Sequence, residues 1–153
     1  MEINESKFIE REITLRNMML TKEVVETRRS LVRWLALALG IINPGESRQS
    51  AVAVLDSLLY FQFTERKDPS VAELMEYIAK NWEPMNEKTL RYHLLQLKRA
   101  NVVNNLKGVY FLSNMDPDQK YNEEAWVGRY FDSEVQPIRE KITAAIKELK
   151  GRQ

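Results

Sequence analysis

The stretch NEKTLRYHLLQLKRAN, from Asn86 to Asn101, decides how the rest of the chain is interpreted. Asn86 is a favourable N-cap, because its side chain can accept a hydrogen bond from an amide of the first helical turn. Leu90, Leu94 and Leu97 recur at i, i+4 and i+7, so they form one apolar stripe. Asn101 ends the helix, since asparagine tolerates the left-handed conformation. The stretch predicts an amphipathic helix.

The opposite side of this helix is predicted to be polar, basic and aromatic. At about 100° per residue, Lys88, Tyr92 and Arg99 point away from the leucines. Thr89 and Gln96 lie beside them. A charged helix face of this kind is usually a solvated surface, so the pattern needs a structural context before it indicates a function.

A small hairpin is predicted directly after the helix. The residues VVNNLKGVYFLS, from Val102 to Ser113, indicate two short strands joined at Asn104 to Gly108. A helix that buries one face, exposes a basic one and leads into a hairpin is typical of the DNA-reading half of a winged helix.

Two further helices are predicted upstream. Residues 50–64 have a broad apolar face. Asp68 is predicted to cap a second helix that has Pro69 at its first position and runs to Asn81. Residues 82–85, WEPM, form the turn into the next helix, because proline ends the preceding one. The predicted order is helix, helix, tight turn, helix and hairpin.

Residues 87–103, together with the hairpin, resemble the recognition helix and wing of the ArsR-like winged helix-turn-helix families. The matching positions are Thr89, Leu90, Tyr92, His93, Leu94, Leu97, Ala100 and Val103, followed by Gly108 and Tyr110. The sequence departs from the families at Asn101, where they usually have glycine, and at Leu95, an outward position that is normally polar. The resemblance implies a mostly α fold with a winged helix-turn-helix domain, three helices and a short β-hairpin, and it implies binding to double-stranded DNA.

The composition argues against metal and cofactor chemistry. The chain has no cysteine and one histidine, which excludes a thiolate site and does not support the metal-sensing branch of the resembling families. His93 lies at the edge of the leucine stripe, where a hydrogen-bonded structural histidine is more common than a ligand. No phosphate loop, nucleophile elbow or paired-carboxylate motif is present, so we expect neither an enzyme nor a cofactor.

The positive charge is concentrated at the candidate interface. The whole chain carries a formal net charge of +1. Residues 86–107 hold five cations and one carboxylate, a net charge of +4, whereas residues 65–85 have a net charge of −2. Phosphate neutralisation drives DNA affinity, so this local excess favours the helix and hairpin as the DNA-binding surface.

Seven residues are the candidate DNA contacts. Arg91 and Gln96 have side chains suited to reading bases, and Lys107 near the hairpin tip could contact the neighbouring backbone. The remaining candidates suit phosphate contacts: Lys88, Thr89, Tyr92 and Arg99. The near-neutral net charge and Leu95 favour an alternative, a winged-helix adaptor that binds another protein without binding DNA.

Residues 1–43 are predicted to be an N-terminal helical extension, for dimerisation or packing. Residues 1–29 lack proline and glycine, so they should be helical, with a break near Thr21, which could cap a second helix. The next helix ends at Gly40. The most apolar run, Leu31 to Ile42, contains Arg33 and is too short to span a bilayer, so a buried helix is expected. The acidic N-terminus is not a secretory signal, and we expect a cytoplasmic protein with no membrane partner.

Residues 115–153 are predicted to follow the winged domain, 44–114, as a dimerisation element. After a polar break, MDPDQ at residues 115–119, residues 122–150 indicate one long helix, in which Pro137 either forms a kink or separates two helices. Its apolar residues alternate by four and three, as in a coiled-coil seam: Phe131, Val135, Ile138, Ile142, Ala145 and Leu149. Such a seam needs a second helix, from the same chain or from another subunit. We expect a homodimer, with Phe131, Val135, Ile138, Ile142 and Leu149 at its interface.

Overall fold

The computed structural model describes residues 4–112 and 117–152. These residues form a mostly helical fold with one antiparallel hairpin, as predicted at this level. The elements are α1 (Lys22–Val25), α2 (Arg28–Ala38), α3 (Ser50–Leu59), α4 (Val71–Asn81), α5 (Glu87–Arg99), β1 (Val103–Leu106), β2 (Val109–Leu112), α6 (Glu123–Glu134) and α7 (Gln136–Lys150). A 3-10 turn covers Glu5–Phe8, and a π-helical turn at Tyr60–Glu65 extends α3. The chain divides into two compact units, Met1–Arg48 and Gln49–Gln153.

The first unit is built on α2, which is the helix predicted from the apolar run. Its N-terminus is capped by Thr27, whose Oγ1 accepts from the amide of Ser30 at 3.1 Å. At the other end, the Arg16 guanidinium donates to the carbonyls of Leu37 at 2.6 Å and Ile42 at 3.0 Å. A cation at a helix C-terminus can donate to the free carbonyls, and it interacts favourably with the negative end of the helix dipole. Gly40 follows with φ of +71°, which confirms the predicted end of the helix.

The predicted helix over residues 1–29 is wrong for most of the part that the structure describes. Residues 9–20 contain no helix. They run along α2 instead, where the Arg16 amide donates to the carbonyl of Ala38 at 2.9 Å and Trp34 Nε1 donates to the carbonyl of Met19 at 2.9 Å. The predicted cap at Thr21 is correct, since its Oγ1 accepts from the amide of Val24. These long-range bonds replace the i to i−4 bonds that a helix would have made.

The core of the second unit lies between α3, α4 and α5. Every residue from Val52 to Leu58 is buried, and Leu74 and Ile78 of α4 are buried against this core. One of these buried residues is a carboxylate, Asp56, which accepts from Tyr77 Oη at 2.9 Å and from Trp82 Nε1 at 2.7 Å. Because buried polar groups need partners, Asp56 fixes the turn after α4 against α3.

The predicted start of α4 at Asp68 and Pro69 is wrong by two residues. The N-cap is Ser70, which forms a capping box with Glu73: each side chain accepts from the backbone amide of the other. The backbone of Pro69 has another role, since its carbonyl accepts from the amide of Tyr110 at 2.8 Å. The segment before α4 therefore pairs with the hairpin, and the helix begins only after that pairing.

The hairpin is tighter than predicted. Its register runs from Val103 opposite Leu112 to Leu106 opposite Val109, which leaves only Lys107 and Gly108 in the turn. Both turn residues have positive φ, +52° and +82°, as in a type I′ turn. Ser113, the predicted end of the second strand, lies outside the described residues.

The predicted single helix over residues 122–150 is divided into two, the alternative that Pro137 left open. α6 ends at Glu134, and Pro137 lies in the first turn of α7. Proline has no amide to donate, and its ring clashes with the carbonyl four residues earlier, here that of Ser133. Trp126 and Tyr130 of α6 are buried, whereas every residue of α7 is exposed. The predicted polar break at residues 115–119 lies partly outside the described residues.

Over residues 4–112 and 117–152, no helix combines the length and the apolar character that crossing a membrane requires.

Candidate nucleic-acid interface

The candidate interface is built on α5, whose ends and buried face follow the sequence prediction. Asn86 Oδ1 accepts from the amide of Thr89 at 2.8 Å, which confirms the predicted N-cap. Leu90, Leu94 and Leu97 are all buried. Asn101 has φ of +62°, so the predicted left-handed end is confirmed as well.

Asn101 does more than end the helix. Its Nδ2 donates to Glu134 Oε2 at 2.9 Å and to Ser133 Oγ at 3.4 Å, and both acceptors belong to α6. Glycine, the usual residue at this position in the resembling families, could make neither bond. The end of α5 is thus tied to the end of α6 by a side chain.

His93 takes part in the packing of the interface helix, as its sequence position predicted. Its Nε2 shares a 2.9 Å hydrogen bond with Ser50 Oγ at the start of α3. The half-buried ring also meets Tyr92 edge to face, with 5.2 Å between the ring centroids. These contacts orient α5 relative to α3.

The face opposite the leucines is exposed. Lys88, Gln96 and Arg99 are exposed, Thr89 is half-buried, and Tyr92 retains 58% of its accessible surface. Glu87 is the one acidic residue in the sequence of α5. The exposed face is therefore a cationic surface with one large aromatic side chain.

Arg91 lies on the side of α5 that faces the hairpin, paired with Glu87. Its Nε donates to Glu87 Oε2 at 3.0 Å. This hydrogen bond, with the carboxylate charge, holds the pKa of Arg91 above its ordinary value. An exposed i, i+4 pair of this kind is screened by water and contributes little to stability, so Arg91 can exchange Glu87 for a stronger acceptor at little cost.

A cavity of about 210 Å³ separates this side of α5 from the hairpin. Its lining residues are Arg91, Leu94, Leu95, Lys98, Asn105 and Tyr110. Lys98 Nζ donates to Asn105 Oδ1 at 2.8 Å and so bridges the helix and β1. Lys98, Asn105 and Tyr110 were not among the sequence candidates. The spacing of seven residues between Arg91 and Lys98 places both on the same side of a helix and could have revealed Lys98.

The hairpin presents Lys107 and Leu106 at its tip. Lys107 is exposed at the first position of the turn, and Leu106 retains 62% of its accessible surface. Leu95 on α5 is 45% exposed, so the cationic surface also contains large apolar side chains. The seven candidates thus lie on one helix and one adjoining turn.

The candidate dimer residues lie elsewhere, on α6 and α7. Phe131, Ile138, Ile142 and Leu149 are exposed, and Val135 at the break between the helices is half-buried. Their exposed faces leave an apolar stripe on α7 that no described residue covers.

No family model, curated protein or solved structure matches this chain. Across the ranges 4–112 and 117–152, no group of three carboxylate or histidine side chains is placed to hold a metal ion.

Proposed function

We propose that the chain is a winged helix-turn-helix protein of the ArsR-like DNA-binding superfamily, a cytoplasmic, dimeric transcriptional regulator that reads double-stranded DNA. In this proposal α3, α4 and α5 are the three helices of the domain, and β1 and β2 form its wing. The antiparallel β-bridge between Ser70 and Val109 supports it, because this bridge attaches the wing to the start of α4. α5 enters the major groove.

The observation that carries the proposal is the exposure of the cationic face of α5 next to the hairpin. Lys88 and Arg99 are exposed on the side opposite the buried leucines, and Lys107 is exposed at the hairpin turn. Such cations replace the counterions of the DNA backbone, which is the main sequence-independent source of affinity. Tyr92 and Thr89 add hydroxyl donors suited to phosphate oxygens.

Arg91 and Gln96 supply the base contacts in this proposal. A bidentate arginine–guanine contact discriminates by about 1–3 kcal/mol, which exceeds the contribution of the exposed pair with Glu87. Glu87 therefore orients the guanidinium in the free protein and releases it on binding.

The test is selection of duplexes from a random pool, followed by fluorescence anisotropy at increasing salt. We expect Arg91→Ala to raise the dissociation constant for the selected duplex by about tenfold or more and to relax specificity at one base pair. Arg99→Ala should weaken binding to all sequences alike and lower the salt slope by about one. Lys80→Ala is the matched control, since it removes one exposed cation from α4, a helix that contributes none of the seven candidate DNA contacts.

Absence of binding at low salt would overturn the proposal, and so would an equal loss in Lys80→Ala. The second candidate function, an adaptor that binds another protein, is favoured by the exposed Leu95 and Leu106. For an adaptor, Leu95→Ala would abolish capture of the partner, whereas Arg99→Ala would leave it nearly unchanged.

A further inference from the structure

The last helix, α7, has an apolar stripe with no partner among the described residues. Its fifteen residues are all exposed. The exposed fraction of the stripe rises from 41% at Ile138 through Ile142 and Ile146 to 71% at Leu149. An isolated helix of this length is marginal in water, so packing of this face is needed to stabilise it.

We infer that α7 pairs with α7 of a second copy in an antiparallel two-helix seam. The inference refines the dimer part of the proposed function and does not depend on DNA binding. The stripe fits a heptad pattern with Ile142 and Leu149 at a positions and Ile138 and Ala145 at d positions. In an antiparallel pair, a positions lie opposite d positions, so Ile142 faces the partner's Ala145 and Leu149 faces the partner's Ile138.

Charge complementarity selects this orientation. Lys141 and Glu148 occupy the two successive g positions of α7. In the antiparallel register, Lys141 of one copy lies beside Glu148 of the other, and the two-fold axis makes the same pair twice. In a parallel pair, g positions meet e positions, and Lys141 would meet the partner's Ile146 instead.

The other edge of the seam is compatible with the same register. It brings Arg139 of one copy beside Ile146 of the other, where the aliphatic stem of arginine can cover the isoleucine. Glu148 accepts from Arg152 at 3.5 Å within its own chain, an exposed pair that leaves further carboxylate lone pairs for Lys141.

The available area is of the order that a dimer needs. α7 is about 22 Å long at 1.5 Å per residue. Four layers with their flanking side chains bury of the order of 1,000 Å² over both copies, where specific interfaces begin. An interface of this size belongs to the weaker, reversible class, so we expect a monomer–dimer equilibrium that depends on protein concentration.

Orientation can be tested by cysteine pairing, because the chain contains no cysteine of its own. Ile142→Cys and Ala145→Cys variants of the 153-residue chain, one of them with a size tag, are mixed and oxidised. We expect a disulfide between the two different variants and little between identical ones. Disulfides only between identical variants would overturn the antiparallel arrangement.

The charge pairs can be tested by reversal. Lys141→Glu turns both pairs into repulsions, and we expect the dissociation constant from analytical ultracentrifugation to rise about tenfold. Adding Glu148→Lys should restore it, and Lys147→Glu, on the opposite side of α7, should leave it unchanged. A dimer insensitive to Lys141→Glu, or a protein that is monomeric at all concentrations, would overturn the inference.

DNA binding is measured on the same variants, so that the two proposals can fail separately. A monomer that still binds DNA counts against this pairing alone. A dimer that does not bind DNA counts against the regulator alone.

Discussion

At the residue scale, left-handed backbone positions set the limits of several elements. Gly40 ends α2, Asn101 follows α5, and Lys107 and Gly108 form the hairpin turn, all with positive φ. Positive φ costs most residues about 1–2 kcal/mol, and glycine escapes this cost because it lacks a Cβ atom. The consequence of a substitution at such a position depends on what surrounds the missing Cβ.

Gly40→Ala is expected to destabilise the first unit strongly. Its φ is +71°, and a Cβ would lie 2.4 Å from the carbonyl oxygen of Thr14. Gly45→Ala is the control, because its φ is +82° and no atom lies within 4 Å of its Cβ position. We expect a loss of about 1 kcal/mol for Gly45→Ala and about 3 kcal/mol or more for Gly40→Ala in urea unfolding. Equal losses would show that the Thr14 backbone moves away freely.

Lys107→Asn is expected to separate stability from function. Asparagine tolerates the positive φ of Lys107 better than lysine, and Asn-Gly is the preferred pair for a type I′ turn. Thermal unfolding should show a gain of about 0.5 kcal/mol. Under the proposed function the same change removes a phosphate contact, so the salt slope of DNA binding should fall by about one. An unchanged slope would remove Lys107 from the interface.

At the element scale, the capping box of α4 makes stability depend on pH. The hydrogen bond from Lys67 lowers the pKa of Glu73 below its ordinary 4.5, and the amide of Ser70 lowers it further. A carboxylate with a lowered pKa stabilises the fold above its unfolded value of 4.5, and this contribution disappears as the pH falls through the folded pKa.

Glu73→Gln should therefore reduce the loss of stability on acidification. The amide oxygen of glutamine can still accept from Ser70, but it has no charge to lose. We expect the variant to be less stable than the parent near pH 7 and equally stable below the folded pKa, as measured by urea midpoints from about pH 7 to about pH 3. Glu76→Gln, an exposed carboxylate on the same helix, should preserve the parent profile.

Local chemistry explains which elements could be predicted from the sequence. The cap at Asn86, the leucine stripe and the left-handed Asn101 are all determined within α5 itself, and each was found where expected. The start of α4 was misplaced because Pro69 pairs with Tyr110, forty-one residues later in the chain. Similarly, Lys120 and Tyr121 both contact Asp68, a partner that no local pattern indicates.

The same distinction applies to the candidate site. The exposed face of α5 follows from helical periodicity, so Lys88, Tyr92 and Arg99 could be assigned from the sequence. The cavity beside Arg91 could not, because it exists only where the hairpin folds back and Asn105 meets Lys98. Likewise, the chain before α2 follows α2 through hydrogen bonds of Arg16 and Trp34 whose acceptors lie 15 to 27 residues away.

At the scale of the whole molecule, removing α7 separates the fold from assembly. Among the described residues, a chain that ends at Val135 loses only exposed side chains, including all four core positions of the inferred seam, and it retains the buried Trp126 and Tyr130 of α6. We expect its thermal midpoint at low concentration to lie within a few degrees of the parent. Light scattering should show a monomer at concentrations where the parent is a dimer.

Under the proposed function, this truncation should also change how DNA is bound. A dimer places two copies of α5 on two half-sites, and the second contact benefits from a high effective concentration. Affinity for a duplex with both half-sites should fall about 100-fold, whereas affinity for one half-site should stay within about twofold. The charge reversal Lys141→Glu, which leaves α7 in place, should produce part of the same loss. If the truncated monomer bound the full duplex as tightly as the parent, α7 would have no part in recognition, and each copy of α5 would act independently.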